Sequence, residues 1–167
     1  MLLPRYATPI VALGYAGGLV VGGTSIHGGY GVPAPTQREG VLFGFDPVAG
    51  VKVFETVPVP GAQQVDVLVT EADGGGWGLA GGELFAFDVV SRRVSRPVTL
   101  PARGGRLAYH AGTDAFYVLV ADTLLLVWRA DLAAMTVLRQ PAQSLAVHPD
   151  GRVFLGDGPK VYRLRVT

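Results

Sequence analysis

Short apolar runs separated by glycine, proline and aspartate follow one another along the whole chain. Runs such as "GLVVGG", "VLFGF" and "FYVLV" are rich in Val, Leu, Phe and Tyr and are bounded by turn residues, which is typical of β-strands. No stretch of helical length carries apolar residues at intervals of three and four. The nearest, "ADLAAMTVL", is short and is soon followed by Pro141. The pattern therefore predicts an all-β protein, whose first hairpin is expected to turn at Ala16–Gly17.

The predicted strands recur with a period near 40 residues. Aligned third-strand positions are Leu42, Leu84, Leu124 and Val161, which are 42, 40 and 37 residues apart. In an all-β chain, such a period is typical of a propeller blade of four antiparallel strands. The sequence therefore predicts a β-propeller built of four-stranded antiparallel blades, about four of them in this chain.

A proline closes the predicted fourth strand of each whole blade, which sets the expected boundaries within a single repeat domain, 1–167. The expected blades are about 5–60, 61–101 and 102–141, followed by a partial blade of three strands at 142–167. Residues 1–4 resemble the end of a fourth strand that would complete the last blade. The chain is then either a small closed propeller or, as we favour, part of a larger one.

Blade 1 contains an insertion between its second and third strands. Val21 aligns with Leu79, and Leu42 with Leu84, so 21 residues separate the pair in blade 1 but only 5 in blade 2. About 16 residues are therefore extra. In propellers this connection shares a face with the blade-to-blade crossings, where loops vary freely and ligands commonly bind. Both a lid without a ligand and a binding loop are consistent with the pattern.

Candidate binding residues lie in this insertion, taken as residues 27–40, and in the neighbouring crossings. The insertion is rich in hydrogen-bonding side chains, and Pro33 and Pro35 stiffen it, which reduces the entropy lost on binding. The predicted binding residues are His27, Tyr30, Gln37, Arg38 and Glu39 in the insertion and Tyr6, Gln64 and Arg103 in the crossings.

The remaining histidines and carboxylates do not form a motif for catalysis or metal binding. His110 and His148 are expected at one end of the innermost strands and His27 at the other, so a shared zinc ion is not expected. Asp46 and Asp88, like Asp73, Asp150 and Asp157, occupy turn positions without calcium-loop spacing. We therefore predict no catalytic residue, no metal and no cofactor.

Composition narrows the choice of partner. Basic and acidic residues nearly balance, 14 against 13, which disfavours a nucleic-acid surface. No apolar run is long enough for a membrane span, and the N-terminal residues do not resemble a signal peptide. Cysteine is absent, which excludes disulfides and thiolate chemistry. Trp77 and Trp128 are expected to pack within or between blades.

The segments "GGTSIHGGYG", "GGELFAFDVVSRRV" and "AVHPDGRVFLGDGPKVYRL" resemble bacterial PQQ-like, YVTN and WD-type β-propeller repeats. The resemblance implies a propeller fold and a secreted or cell-envelope parent protein, with a cytoplasmic one as the alternative. It does not extend to PQQ binding, because the tryptophan-docking repeats, the vicinal cysteine pair and the Asp–Ca²⁺ constellation of the PQQ enzymes are missing.

The leading functional prediction is a non-catalytic binding or scaffold module that recognises a protein or glycan through the loop face carrying the insertion. One alternative is a propeller-type lyase or lactonase-like enzyme that acts in the central channel with a histidine and a carboxylate. The other is a purely structural repeat segment that completes a larger propeller through self-association or further blades.

Overall fold

The computed structural model describes residues 8–27, 35–95, 98–139 and 141–164 of the chain. Within these residues, sixteen β-strands form four antiparallel sheets. None of the described residues belongs to a helix that is long and apolar enough to cross a membrane. The all-β prediction is therefore confirmed at the level of strands and sheets, which are consistent with propeller-like blades.

Each sheet is a meander in which consecutive strands are neighbours, apart from the last strand of sheet 2. Sheet 1 consists of β1 (Ile10–Ala16), β2 (Leu19–Thr24), β3 (Leu42–Asp46) and β4 (Val51–Thr56). Sheet 2 consists of β5 (Val65–Thr70), β6 (Gly75–Ala80), β7 (Glu83–Asp88), β8 (Arg93–Val94) and β9 (Val98–Thr99). Sheet 3 consists of β10 (Arg106–His110), β11 (Ala115–Val120), β12 (Thr123–Trp128) and β13 (Asp131–Arg139). Sheet 4 consists of β14 (Ser144–Val147), β15 (Val153–Asp157) and β16 (Lys160–Leu164).

The outermost strand differs among the sheets. In sheet 2 it is divided into β8 and β9, which both pair with β7. In sheet 4 the described residues form three strands, as the sequence predicts for the last blade. Residues 1–4, which were expected to complete that blade, lie outside the described part of the chain.

Aspartates organise the turns, as expected from their positions. Asp46 Oδ1 accepts hydrogen bonds from the amides of Val48 and Ala49, at 2.8 and 2.9 Å. Asp88 Oδ1 accepts bonds from the amide and hydroxyl of Ser91, at 2.6 and 2.7 Å. The backbone bonds explain why these carboxylates occupy turns and are not grouped as ligands.

Two details of the sequence interpretation are wrong. The first hairpin turns at Gly17 and Gly18, which both have positive φ and leave Ala16 paired with Leu19, whereas the sequence placed the turn at Ala16–Gly17. Trp128 was expected to pack within or between blades, but 41% of it is exposed, because it lies at the end of β12 beside the turn.

The chain divides into two compact units, Met1–Thr99 and Leu100–Thr167. In the first, sheets 1 and 2 pack Val21 and Leu42 against Phe85 and Phe87. In the second, sheets 3 and 4 pack Tyr117 and Leu124 against Val153 and Leu155. Burial of these apolar side chains is the main stabilising term within each unit. The single domain 1–167 and the closure of a propeller stay predictions.

Candidate binding site at the insertion

The insertion lies between β2 and β3 of sheet 1. In sheets 2, 3 and 4 the corresponding strands are joined by two residues, Gly81–Gly82, Ala121–Asp122 and Gly158–Pro159, whereas residues 25–41 join β2 to β3. Leu42 pairs with Gly23 as Leu84 pairs with Leu79. The structural equivalent of Leu79 is therefore Gly23 and not Val21, which makes the insertion two residues shorter than the sequence alignment predicts.

The first arm of the insertion is fixed to the crossing between β4 and β5. Ser25 forms an isolated antiparallel bridge with Gln64, and the Ser25 hydroxyl donates to Gln64 Oε1 at 3.2 Å. The amide of Ile26 donates to the carbonyl of Gln63 at 2.9 Å. Ser25 is only 2% exposed, so these polar contacts replace the water that its hydroxyl and backbone would otherwise bind.

The returning arm is fixed to the same crossing. The amide of Gly40 donates to the carbonyl of Ala62 at 2.8 Å, and Glu39 Oε1 accepts a bond from the amide of Gly61 at 2.6 Å. A Cβ atom on Gly40 would lie 2.6 Å from Gln64 Cα, which is closer than two carbon atoms can approach. The arm therefore requires glycine here, because its backbone rests directly on the backbone of the crossing.

A surface cleft of about 270 Å³ lies where the returning arm passes the end of β4. Three of the sequence-predicted binding residues line it together with four others: Gln37, Arg38 and Glu39 with Val41, Glu55, Thr56 and Val57. The lining of the cleft thus combines two valines with polar and charged side chains. Glu55, Thr56 and Val57 were not among the predicted residues, although the antiparallel pairing of β3 with β4 places Thr56 opposite Leu42, where the insertion ends.

Charges of both signs surround the cleft. Glu55 forms an ion pair with Lys52, and both side chains are about one-third exposed. Glu39 is half-buried and is engaged by Gly61, whereas Arg38 is exposed and forms no ion pair with the described residues. Arg38 is therefore the cation at this cleft whose guanidinium can receive an incoming anionic group.

A half-buried carboxylate lies next to the first arm. Asp66, on β5, accepts a hydrogen bond from Gln64 Nε2, so the polar chain runs from Ser25 through Gln64 to Asp66. Burial raises the pKa of Asp66 above its ordinary value, and the bond from Gln64 opposes this shift. Sequence reasoning missed Asp66, although an aspartate within the apolar run "VDVLV" is a signal that could have drawn attention to it.

The other predicted binding residues are more scattered. His27 is exposed at the end of the first arm, where its amide donates to Ser25 Oγ at 3.1 Å. Gln64 belongs to the crossing that supports the insertion. Arg103 is exposed in the segment before β10, in the second unit. Tyr6 and Tyr30 lie outside the described residues.

The two histidines of the second unit have local structural partners. His110 Nδ1 lies 3.0 Å from the hydroxyl of Thr113, in the same hairpin. His148 Nδ1 lies 2.8 Å from Asp150 Oδ1, and Arg152 also pairs with that carboxylate within one half-exposed hairpin. Among the described residues, no group of three or more His, Asp or Glu side chains could hold a metal ion.

Comparison of the sequence with models of known protein families and with curated proteins finds no match. The assignment of function therefore depends on the fold and on the geometry of the insertion.

Proposed function

We propose that this chain is a non-catalytic binding module that captures an extended, acidic segment of a partner protein in the cleft beside the insertion. The supporting observation is that Gln37, Arg38 and Glu39, all predicted as binding residues from the sequence, line one cleft together with the end of β4. The insertion therefore adds a recognition surface to a sheet that folds without it in the other three repeats.

Preorganisation supports binding at this cleft. The arms on both sides of the insertion are hydrogen-bonded to the crossing at residues 61–64, so the cleft walls are already positioned before a partner arrives. A wall that is ordered in the free protein loses less conformational entropy when it binds. This favours a binding loop over a lid whose only task is to cover the sheet.

The size of the cleft indicates what it can hold. Pockets for small molecules and cofactors commonly enclose about 300–1,000 Å³, and this open cleft of about 270 Å³ is below that range. It suits one or two side chains of a peptide that continues along the surface. The described residues that line it include no aromatic ring, which favours a protein partner over a glycan stacked on an aromatic platform.

The charge arrangement favours an acidic segment. Arg38 can form a bidentate hydrogen-bonded pair with a carboxylate. Glu39 already accepts a hydrogen bond from the amide of Gly61, and Glu55 forms an ion pair with Lys52. Neither carboxylate therefore competes strongly with a ligand for Arg38. Val41 and Val57 can bury the aliphatic part of the bound residue.

The test is selection of peptides from a phage-displayed random library on the immobilised wild-type chain. We expect the selected peptides to carry Asp or Glu and to lose affinity about 10- to 100-fold when R38E is used, because a charge-assisted bond becomes a repulsion. Replacing the acidic residue of a selected peptide by Lys should restore binding to R38E. The melting temperature of R38E should match the wild type, since Arg38 is exposed.

The matched control is R93E, which reverses an exposed arginine on β8 of sheet 2 and should leave peptide affinity unchanged. If R38E binds the selected peptides as well as the wild type does, the proposal is wrong. A glycan array probed in parallel decides the alternative: glycan binding that depends on Arg38, with no peptide selected, would also contradict a protein partner.

A further inference from the structure

The side of sheet 1 that is turned away from sheet 2 is apolar; its residues on β1 are exposed, whereas Phe43 on β3 is 7% exposed. We call it the outer face of sheet 1; it consists of Val11, Leu13, Tyr15, Val20, Phe43 and Phe45. These residues share one side because they alternate along their strands and pair across β1, β2 and β3. Val11, Leu13 and Tyr15 are 46%, 63% and 62% exposed.

The outer face of sheet 1 resembles in its residue types the side of sheet 2 against which sheet 1 packs. In register, the outer-face positions Leu13, Gly22 and Phe43 match Leu68, Gly78 and Phe85. In both sheets the ring covers the glycine: a Cβ on Gly22 would lie 2.2 Å from Phe43 Cζ, and one on Gly78 would lie 2.4 Å from Phe85 Cζ. Phe85 is 0% exposed, because sheet 1 packs over it. Sheet 1 therefore repeats on its outer face a surface that is buried by another sheet within the same unit.

The surface of sheet 1 that covers sheet 2 has a recognisable composition. It combines small residues with a few aliphatic ones: Ala12, Gly14, Ala16, Val21, Gly23 and Leu42. The small residues permit close approach, since a Cβ on Gly14 would lie 2.4 Å from Thr70 Cγ2 and one on Gly23 would lie 2.6 Å from Val65 Cβ. Packing of a small-residue surface against a bulky one is thus how sheets pair in the first unit.

Sheet 4 exposes a surface that resembles the small-residue surface with which sheet 1 covers sheet 2. Its outer face, turned away from sheet 3, consists of Ser144, Ala146, Phe154, Gly156, Val161 and Arg163. In register, Ser144, Gly156 and Val161 match Ala12, Gly23 and Leu42 of the covering surface of sheet 1. Leu42, Leu84 and Leu124 are each 0% exposed, whereas Val161 at the matching position is 76% exposed. The outer face of sheet 4 is therefore a covering surface that covers nothing within its own unit.

We propose that the outer face of sheet 4 in one copy packs against the outer face of sheet 1 in a second copy. The partner is a second copy of this chain because the two faces are complementary. The outer face of sheet 1 resembles the bulky surface that is covered in sheet 2, and the outer face of sheet 4 resembles the surface that covers it. The contact continues the sheet-on-sheet packing already present within each unit. It is heterologous, since each copy contributes a different patch to it.

Light scattering coupled to size exclusion tests this association with the full chain. The wild type should have an average mass above the 17.5 kDa of one chain, rising with concentration. L13E and V161E should each weaken association about tenfold or more, because either places an unpaired charge in an apolar contact. V48E, at a turn residue that is 96% exposed and on neither outer face, should associate like the wild type. Circular dichroism shows whether each variant folds.

The decisive measurement uses a mixture of L13E and V161E. The intact sheet 4 of L13E fits the intact sheet 1 of V161E, so an equimolar mixture should form a two-chain complex at concentrations where each variant alone is monomeric. A pull-down with a tag on one variant measures it. A wild type that stays monomeric at all concentrations, an unaffected V161E or a mixture that remains monomeric would each overturn the proposal.

Discussion

Ser25, Gln64 and Asp66 form a polar chain at the place where the insertion leaves sheet 1. Each has a partner within hydrogen-bond reach. A satisfied polar chain of this kind specifies one arrangement of the backbone, because any other would leave a buried polar group without a partner. Asp66 is the ionisable member of this chain, and burial of its carboxylate destabilises the charged form.

Replacing Asp66 by Asn should stabilise the protein at neutral pH. Burial raises the pKa of Asp66 above 3.8, so the folded protein holds the proton more tightly than the unfolded chain. Stability then falls as the pH rises from about 3.8 through the raised pKa, and this loss persists at all higher pH values. D66N removes the charge and keeps an oxygen that can accept the bond from Gln64.

Urea unfolding of D66N and the wild type at several pH values measures the difference. D66N should gain stability relative to the wild type at pH 7, and the gain should disappear as the pH falls well below 3.8, where Asp66 is protonated in both the folded and the unfolded chain. D73N, in an exposed turn, controls for a general effect of removing one negative charge. A loss of stability in D66N that is the same at every pH would contradict this account.

At the scale of elements, the insertion is an arm seated on the crossing between β4 and β5. Gly40 is its contact point, and G40A should destabilise the protein by about 1–3 kcal/mol, because the added methyl group meets the backbone of Gln64 and not a flexible side chain. The control is G75A, where a Cβ would meet only side-chain oxygens, Asp73 Oδ1 at 3.3 Å and Glu71 Oε2 at 3.6 Å. Chemical denaturation compares the two; equal stability of G40A and the wild type would show that the arm is not seated there.

Much of the arrangement of strands, and the position of the insertion, could be predicted from the sequence. The repeated third strand, with Leu42, Leu84, Leu124 and Val161 in register, gave the order of strands and the position of the insertion, because a strand repeat is a local pattern. The alignment of Val21 with Leu79 was wrong. Val and Leu are both aliphatic, so the sequence favours matching them, but the pairing of Gly23 with Leu42 shows that Gly23 is the equivalent position.

The cleft could be predicted only in part. Gln37, Arg38 and Glu39 belong to a conspicuous insertion, whereas Glu55, Thr56 and Val57 join them through the pairing of β4 with β3, which places Thr56 opposite Leu42. Asp66 was missed because its partner Gln64 becomes relevant only when the first arm folds onto the crossing. The sequence showed where extra residues lie, and the structure showed what they rest on.

At the scale of the whole molecule, two units, Met1–Thr99 and Leu100–Thr167, use the same building block. Each pairs two antiparallel sheets through apolar side chains, and the insertion distinguishes the first unit from the second. We propose that the repeats supply a scaffold and that the arm added to one repeat gives this scaffold a surface for recognition.

The central claim is that recognition occurs at the cleft beside the insertion, and amide NMR tests it most directly. A peptide selected on the wild type is titrated into the isotope-labelled chain, and the shifted amides are mapped. We predict shifts concentrated at residues 37–41, 55–57 and 61–64, with little change at the hairpin turns 72–74 and 111–114. Shifts centred on those turns, or spread evenly over the chain, would contradict the account.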